Sequence, residues 1–335
     1  MLGAARDRYN KCGIIFLLCA VAVIVFYLSL SSLTTKNPTQ IKIEHIGLDY
    51  QQLVNKLSEH RGDEQDCLAV LGVFSVEKEY AVRQIFRAYL SRFQSISFDI
   101  CDPGKILVRF VIGTKILGTS ISLEQSKYND MLILPITENM NAGKTMDYFS
   151  SVVRMGLHPR FIFKADMDTF IHGDNLAAYL GSFRARGAEA FQFYGRIQGS
   201  HPVPEKGFFI GCFYGVSYPL AVAMAALGES GAGSVVGRED LVSTTYAAEV
   251  IRLGNGNWIN DVENIGDHPE SGWEYAFPSF SNTSIAIHQI KTRILWNSTL
   301  DYYFGRDFAV ETLSRCSDSD FPKVKPKKKT PKRKS

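Results

Sequence analysis

The sequence predicts an α/β domain, a mostly parallel sheet flanked by helices, behind a single N-terminal membrane helix. Three observations predict it: short apolar runs, helical stretches between them, and one long uncharged segment near the start. Strands that read as near-continuous apolar runs are those buried on both faces, as in parallel sheets covered by helices.

The chain of 335 residues opens on an expected cytosolic tail, residues 1–12. No charge lies between Lys11 and Lys36, and residues 13–33, GIIFLLCAVAVIVFYLSLSSL, supply the roughly 20 apolar residues that a helix needs to cross the hydrocarbon core. A cleaved signal peptide would have a shorter apolar run. Arg6, Arg8 and Lys11 precede the segment with only Asp7 opposing them, so the positive-inside rule keeps the N-terminus cytosolic and sends the rest into the lumen. This is a signal-anchor, type II arrangement. Residues 34–66 are polar, with one amphipathic piece, LDYQQLVNKLSEH, and read as a stem.

The body is expected over residues 67–315. CLAVLGVFSV, ILVRFVIGT, MLILPI, RFIFKAD, AFQFYGRI and GFFIGCFYGVS read as strands, and EKEYAVRQIFRAYLSRF and GKTMDYFSSVVRMG as helices between them. Residues 316–335 read as a basic disordered tail. Its last stretch, PKVKPKKKTPKRKS, holds seven Lys and one Arg with no acid, so the formal net charge of +3 becomes −5 without it. The membrane segment argues against a nuclear address for this tail, and no nucleic-acid partner is expected. Cys67, Cys101, Cys212 and Cys316 fall on the lumenal side, where four cysteines allow two disulfides in three connectivities. Asn282-Thr-Ser and Asn297-Ser-Thr are acceptor sequons, usable only there.

Some signals carry no chemistry. AGKT, residues 142–145, lacks the first glycine of a phosphate loop, where Glu138 stands instead. GESGAGSVVG, residues 228–237, has neither a basic residue nor a strand lead-in and reads as a loop.

Three places do carry chemistry. In RFIFKADMDTFIH, residues 160–172, an apolar strand opens onto Asp166 and Asp168. Side chains alternate along a strand, so the two carboxylates share a face and Met167 takes the other. Converging carboxylates suit a hard divalent cation, although a bare D-x-D also reads as an ordinary acidic turn. In GREDLVSTTYAAEVIRLG, Glu239 and Asp240 open a helical pattern. The helix dipole favours acids there, and such a carboxylate can also take a proton from an incoming hydroxyl. His288, in SIAIHQIKTR, is either structural or an imidazole that completes the coordination of a Mn²⁺-type ion held by the two acids.

In this order, these stretches resemble glycosyltransferase family 31, the β1,3-galactosyl- and N-acetylglucosaminyltransferases, and especially its trypanosomatid UDP-Gal or UDP-GlcNAc-dependent branch. AVRQIFRAYL, residues 81–90, is similar to the family's R-x-x-I-R-x-T-W helix and keeps Arg83 and Arg87. FIFKADMDTFIH is similar to K-x-D-D-D-x-F-V and matches Lys164, Asp166, Asp168 and Phe170, with Met167 for the middle acid. FFIGCFYGVS, with Gly211, resembles the glycine-rich strand lining the sugar site, and REDL resembles the E-D-V motif.

The resemblance covers roughly residues 68–295 and implies a GT-A fold in a Golgi membrane protein with a lumenal catalytic domain. It implies UDP-Gal or UDP-GlcNAc as donor, a glycan acceptor on glycoprotein or glycolipid, and Mn²⁺ or another divalent cation on Asp166, Asp168 and His288. Asp240 is then the base, with Glu239 its neighbour, and Lys164, Asp166 and Gly211 line the donor site. Arg83 and Arg87 either contact the donor or brace the first helix. A non-catalytic glycan-binding or chaperone-like member is the alternative, which loss of the metal acids or the E-D pair would favour. Neither is lost.

Overall fold

The computed structural model describes residues 67–184, 191–198, 207–229, 236–273 and 275–321, together with Gln52, Leu53 and Asn55. The expected tail 1–12, anchor 13–33, all but those three residues of the stem, and residues 322–335 lie outside the described residues. No helix among the described residues is long and apolar enough to cross a membrane.

The body is mixed α/β around a central, mostly parallel sheet. Its strands are β1 (Ala69–Phe74), β2 (Ile96–Ser97), β3 (Ile106–Gly113), β4 (Met131–Leu134), β5 (Phe161–Asp166), β7 (Gln192–Gln198), β8 (Phe208–Ser217) and β9 (Asn257–Asn260). They run in the order β2-β3-β1-β5-β8-β7-β9, with β4 pairing β3. Among the described strands of this sheet, only β8 pairs antiparallel with its neighbours, β5 and β7. All six strands expected from the apolar runs are present. Every residue of β1 is buried, as its continuous apolar pattern requires.

Helices cover both faces. The helix α1 (Tyr80–Leu90) buries Val82, Ile85, Phe86, Tyr89 and Leu90, a stripe at helical spacing. That stripe joins Leu71 and Val73 of β1 and Trp296 and Leu300 in one core. On the other face the helix α3 (Lys144–Arg154) lays Tyr148 against β1. Phe74 meets that ring edge-on at 5.3 Å, and at Gly72 a Cβ would fall 2.5 Å from Tyr148 Cζ. Gly72 is there because the ring needs the space.

A second sheet places part of the site, and of its strands the sequence anticipates only the short β-like run around His288. Its three short strands are β6 (Phe170–Ile171), β10 (Ile265–Asp267) and β11 (Ala286–His288), in the order β10-β11-β6. Runs of two or three residues are too short to show a period.

Two expectations change. Cys67 and Cys101 form a disulfide, whereas Cys212 and Cys316 are buried thiols, so one bridge stands among the described residues where two were allowed. The fold also continues past residue 315, because Cys316 and Phe321 pack into the core.

Candidate active site

Strand β5 ends at Asp166, at the carboxyl edge of the parallel strands, where ligands of such sheets bind. Met167 is 8% exposed and packs into the core, while Asp166 and Asp168 are half-buried beside it. Truncating it in Met167→Ala is expected to cost about 2 kcal/mol or more of stability. Mn²⁺ binding per folded molecule should be retained, checked by denaturant melts and metal titration on the same sample.

Strand β6 begins two residues after Asp168 and pairs antiparallel with β11, Phe170 opposite Ile287, which carries His288 to the same edge. The result is a cluster in which one ligand atom each from Asp166, Asp168 and His288 lies within 4.8 Å of the others. Asp166 Oδ1 is buried with no aligned hydrogen bond, although its ion pair with Lys164 Nζ measures 2.6 Å. Two carboxylates and one imidazole within reach of one another fit an Mn²⁺-type ion.

His288 is oriented from behind. Strand β10 pairs β11 in parallel with Asp267 beside His288, and His288 Nδ1–H donates to Asp267 Oδ1 at 2.8 Å. A carboxylate only accepts, so Nε2 is the atom left facing Asp168, 3.4 Å from its Oδ1. Burial alone would lower the imidazole's pKa, but Cys212, Asp168 and Asp267 outweigh it and hold it well above the usual 6.5. Burial would likewise raise the Asp168 carboxyl, yet His288 and Lys291 bring it below its ordinary range. A metal ion here competes with the proton on His288.

Lys164 links this cluster to the E-D pair. It is fully buried, and its ammonium meets Asp166 Oδ1 at 2.6 Å, Glu239 Oε1 at 2.8 Å and the Gly211 carbonyl. Burial opposes its charge, but Asp166 and Glu239 prevail and raise its pKa. Glu239 opens the helix α6 (Glu239–Gly254), which matches the expected helix in full. Its carboxylate also accepts from Tyr214 OH at 2.7 Å and Thr145 Oγ1 at 3.1 Å, so it is held by three side chains. A Cβ at Gly211 would sit 2.5 Å from Glu239 Oε1, so Gly211 makes room for this carboxylate. Asp240, next along, accepts from Leu241 N–H at 2.9 Å and pairs with Arg238 at 2.7 Å; Arg238 is mostly exposed and the Asp240 side chain is 13% exposed.

Arg83 and Arg87 are placed elsewhere. Arg83 binds Glu124 through Nε at 2.9 Å and Nη2 at 2.5 Å, and Ser75 Oγ at 2.8 Å; Arg87 grips Asp130 through two bonds, at 2.7 and 2.8 Å. Both are buried in this network, so of the two roles open to them the contacts observed are those of bracing.

Sequence reasoning missed Asp267, Lys291, Tyr214 and Thr145. Thr145 lies in the set-aside AGKT stretch, which serves as a scaffold: Lys144 Nζ reaches Glu138 at 2.7 Å and the Ser75 carbonyl at 2.9 Å. Lys291, three residues after His288 in the same motif, was the findable one.

Residues 82–207 match the family model described as galactosyltransferase. That range holds Lys164, Asp166 and Asp168, while Gly211, Glu239, Asp240 and His288 fall beyond it. The chain is 30% identical over 167 residues to beta-1,3-galactosyltransferase pvg3 of Schizosaccharomyces pombe (strain 972 / ATCC 24843), covering 48% of this chain and 43% of that protein. It is 26% identical over 231 residues to lactosylceramide 1,3-N-acetyl-beta-D-glucosaminyltransferase of Homo sapiens, covering 66% of this chain and 58% of that protein. The chain thus spans about half the length of the curated relatives it matches.

Proposed function

We propose, from the premise that this chain carries a galactosyltransferase domain of the glycosyltransferase family 31 type, that it is an inverting enzyme. It moves galactose or N-acetylglucosamine from a UDP-sugar to a hydroxyl of a glycan acceptor and forms a β1,3 linkage. The observation that carries this reading is the Asp166–Asp168–His288 cluster joined through Lys164 to the helix start that bears Asp240.

A divalent cation, when bound, neutralises charge on the departing diphosphate. Asp166, Asp168 and His288 are the residues that would hold it, with Asp267 fixing the imidazole. Lys164 and Glu239 fix the distance between this cluster and Asp240, which takes the proton from the acceptor hydroxyl. The hydroxyl oxygen then attacks the anomeric carbon, the bond to the diphosphate breaks, and the sugar's configuration inverts. Arg238 and the Leu241 N–H aim the Asp240 carboxylate. Proton NMR of products made from UDP-Gal and UDP-GlcNAc with a panel of acceptor glycans tests the reading. New β-anomeric signals are expected, and α-anomeric products would overturn inversion.

We further place the domain in the Golgi lumen, on a single-pass type II anchor at residues 13–33. Support comes from that apolar run, the Cys67–Cys101 disulfide and the sequons. Asn282 is exposed, whereas Asn297 lies inside the helix α7 (Arg293–Phe304) with Thr299 of its sequon fully buried. A glycosidase-sensitive mass shift of one glycan is therefore expected, lost in Asn282→Gln and kept in Asn297→Gln. A shift unchanged in Asn282→Gln would contradict this.

A further inference from the structure

Asp168 has two cationic neighbours from one segment. His288 stands 3.4 Å from its Oδ1, and Lys291 Nζ 3.5 Å from its Oδ2. Both reach one carboxylate because the backbone reverses between them. Gln289 has φ of 65°, in the left-handed region, and Ile290 N–H is bonded to the Asp168 carbonyl at 3.0 Å. A non-glycine residue held there costs energy that the surroundings must supply, and such costs cluster at working sites.

Lys291 differs from the other cations around the cluster. Lys164 is fully buried and enclosed by Asp166, Glu239 and the Gly211 carbonyl. Arg238 is paired with Asp240 and stacked on Phe208, 4.5 Å from the ring centre. Arg83 and Arg87 are committed to Glu124 and Asp130. Lys291 keeps 35% of its side chain in solvent, and its ammonium lies 6.0 Å from the ring centre of Trp273, itself 52% exposed. It therefore touches a carboxylate of the cluster and still faces open space.

Its pairing with Asp168 is suited to exchange. Once Asp168 is engaged by a divalent cation, the ammonium loses its counter-charge and is repelled, and its flexible four-carbon stem lets Nζ move without unfolding the segment. A nucleoside diphosphate carries more negative charge than one divalent ion offsets. We propose that Lys291 is the second cation for this diphosphate, seated at the edge of the cluster, a role that rests on the UDP-sugar transferase reading above.

The test is calorimetric titration of the full chain with Mn²⁺ alone, with uridine, and with UDP at saturating Mn²⁺. Wild type, Lys291→Met and Lys291→Arg are compared. In Lys291→Met, UDP affinity should fall about tenfold through loss of a charge-assisted contact. Uridine affinity should not change, and Mn²⁺ alone should bind at least as tightly, because a competing cation is gone. Lys291→Arg should recover most of the UDP affinity. A lysine that merely supported the loop would weaken Mn²⁺ and uridine binding as well. Unchanged UDP affinity in Lys291→Met, or a loss shared by uridine or Mn²⁺, overturns the assignment. A wild-type chain that binds no UDP in Mn²⁺ refutes the transferase reading and this proposal with it, whereas equal UDP binding by wild type and Lys291→Met refutes Lys291 alone.

Discussion

Asp168→Asn is expected to abolish detectable UDP-sugar turnover, a loss of about 10²- to 10³-fold or more, and to weaken UDP binding in Mn²⁺. Asp168 is the residue on which the site converges. Its two oxygens face His288 and Lys291, and its carboxylate is one third of the candidate ligand set. The amide removes the charge that a divalent ion needs and takes the counter-charge from Lys291, while His288 keeps Asp267. EDTA should reproduce the effect on the wild type. Asp267→Asn, which loosens the orientation of His288 and removes one of the carboxylates that hold its proton, should lower Mn²⁺ affinity by about 10- to 100-fold. Metal titration of the three proteins, with a melting curve for each, separates lost coordination from lost folding. Full activity in EDTA would end the metal's role.

Asp240→Asn should lower kcat by about 10²- to 10⁴-fold while UDP affinity changes little. Its amide oxygen can still accept the Leu241 N–H, so the helix start keeps that bond. A purely capping Asp240 predicts a different pattern: about 1 kcal/mol or less of lost stability and near-normal turnover. Turnover, UDP affinity and melting temperature of this one variant decide between them. Glu239 is poorly placed to act as base, because Lys164, Tyr214 and Thr145 already hold its carboxylate. Near-normal turnover in Asp240→Asn would therefore reject the base assignment without promoting its neighbour.

Much of this site was legible in the sequence because it rests on periodicity. The strand before Asp166 is continuous and apolar, so alternation puts Met167 on the face opposite the two acids, and that face is the one packed into the core. The dipole preference for acids located Glu239 and Asp240 at a helix start. What stayed hidden depends on contacts remote in sequence. Asp267 becomes the partner of His288 only through the parallel pairing of β10 with β11, and three-residue strands show no pattern. Glu239 and Gly211 were both assigned to the chemistry or the donor. The fold adds that they need each other, since a side chain at Gly211 would fill the place of the Glu239 carboxylate. Arg83 and Arg87 match a family helix, but their roles turned on Glu124 and Asp130, which no motif announces.

The most direct measurement is UDP release by the full chain from a panel of UDP-sugars with acceptor glycans, run in Mn²⁺ and again after chelation. The account predicts release from UDP-Gal or UDP-GlcNAc that depends on acceptor, stops with EDTA and returns when Mn²⁺ is restored. No release from any UDP-sugar, or release at the same rate in EDTA, would contradict it.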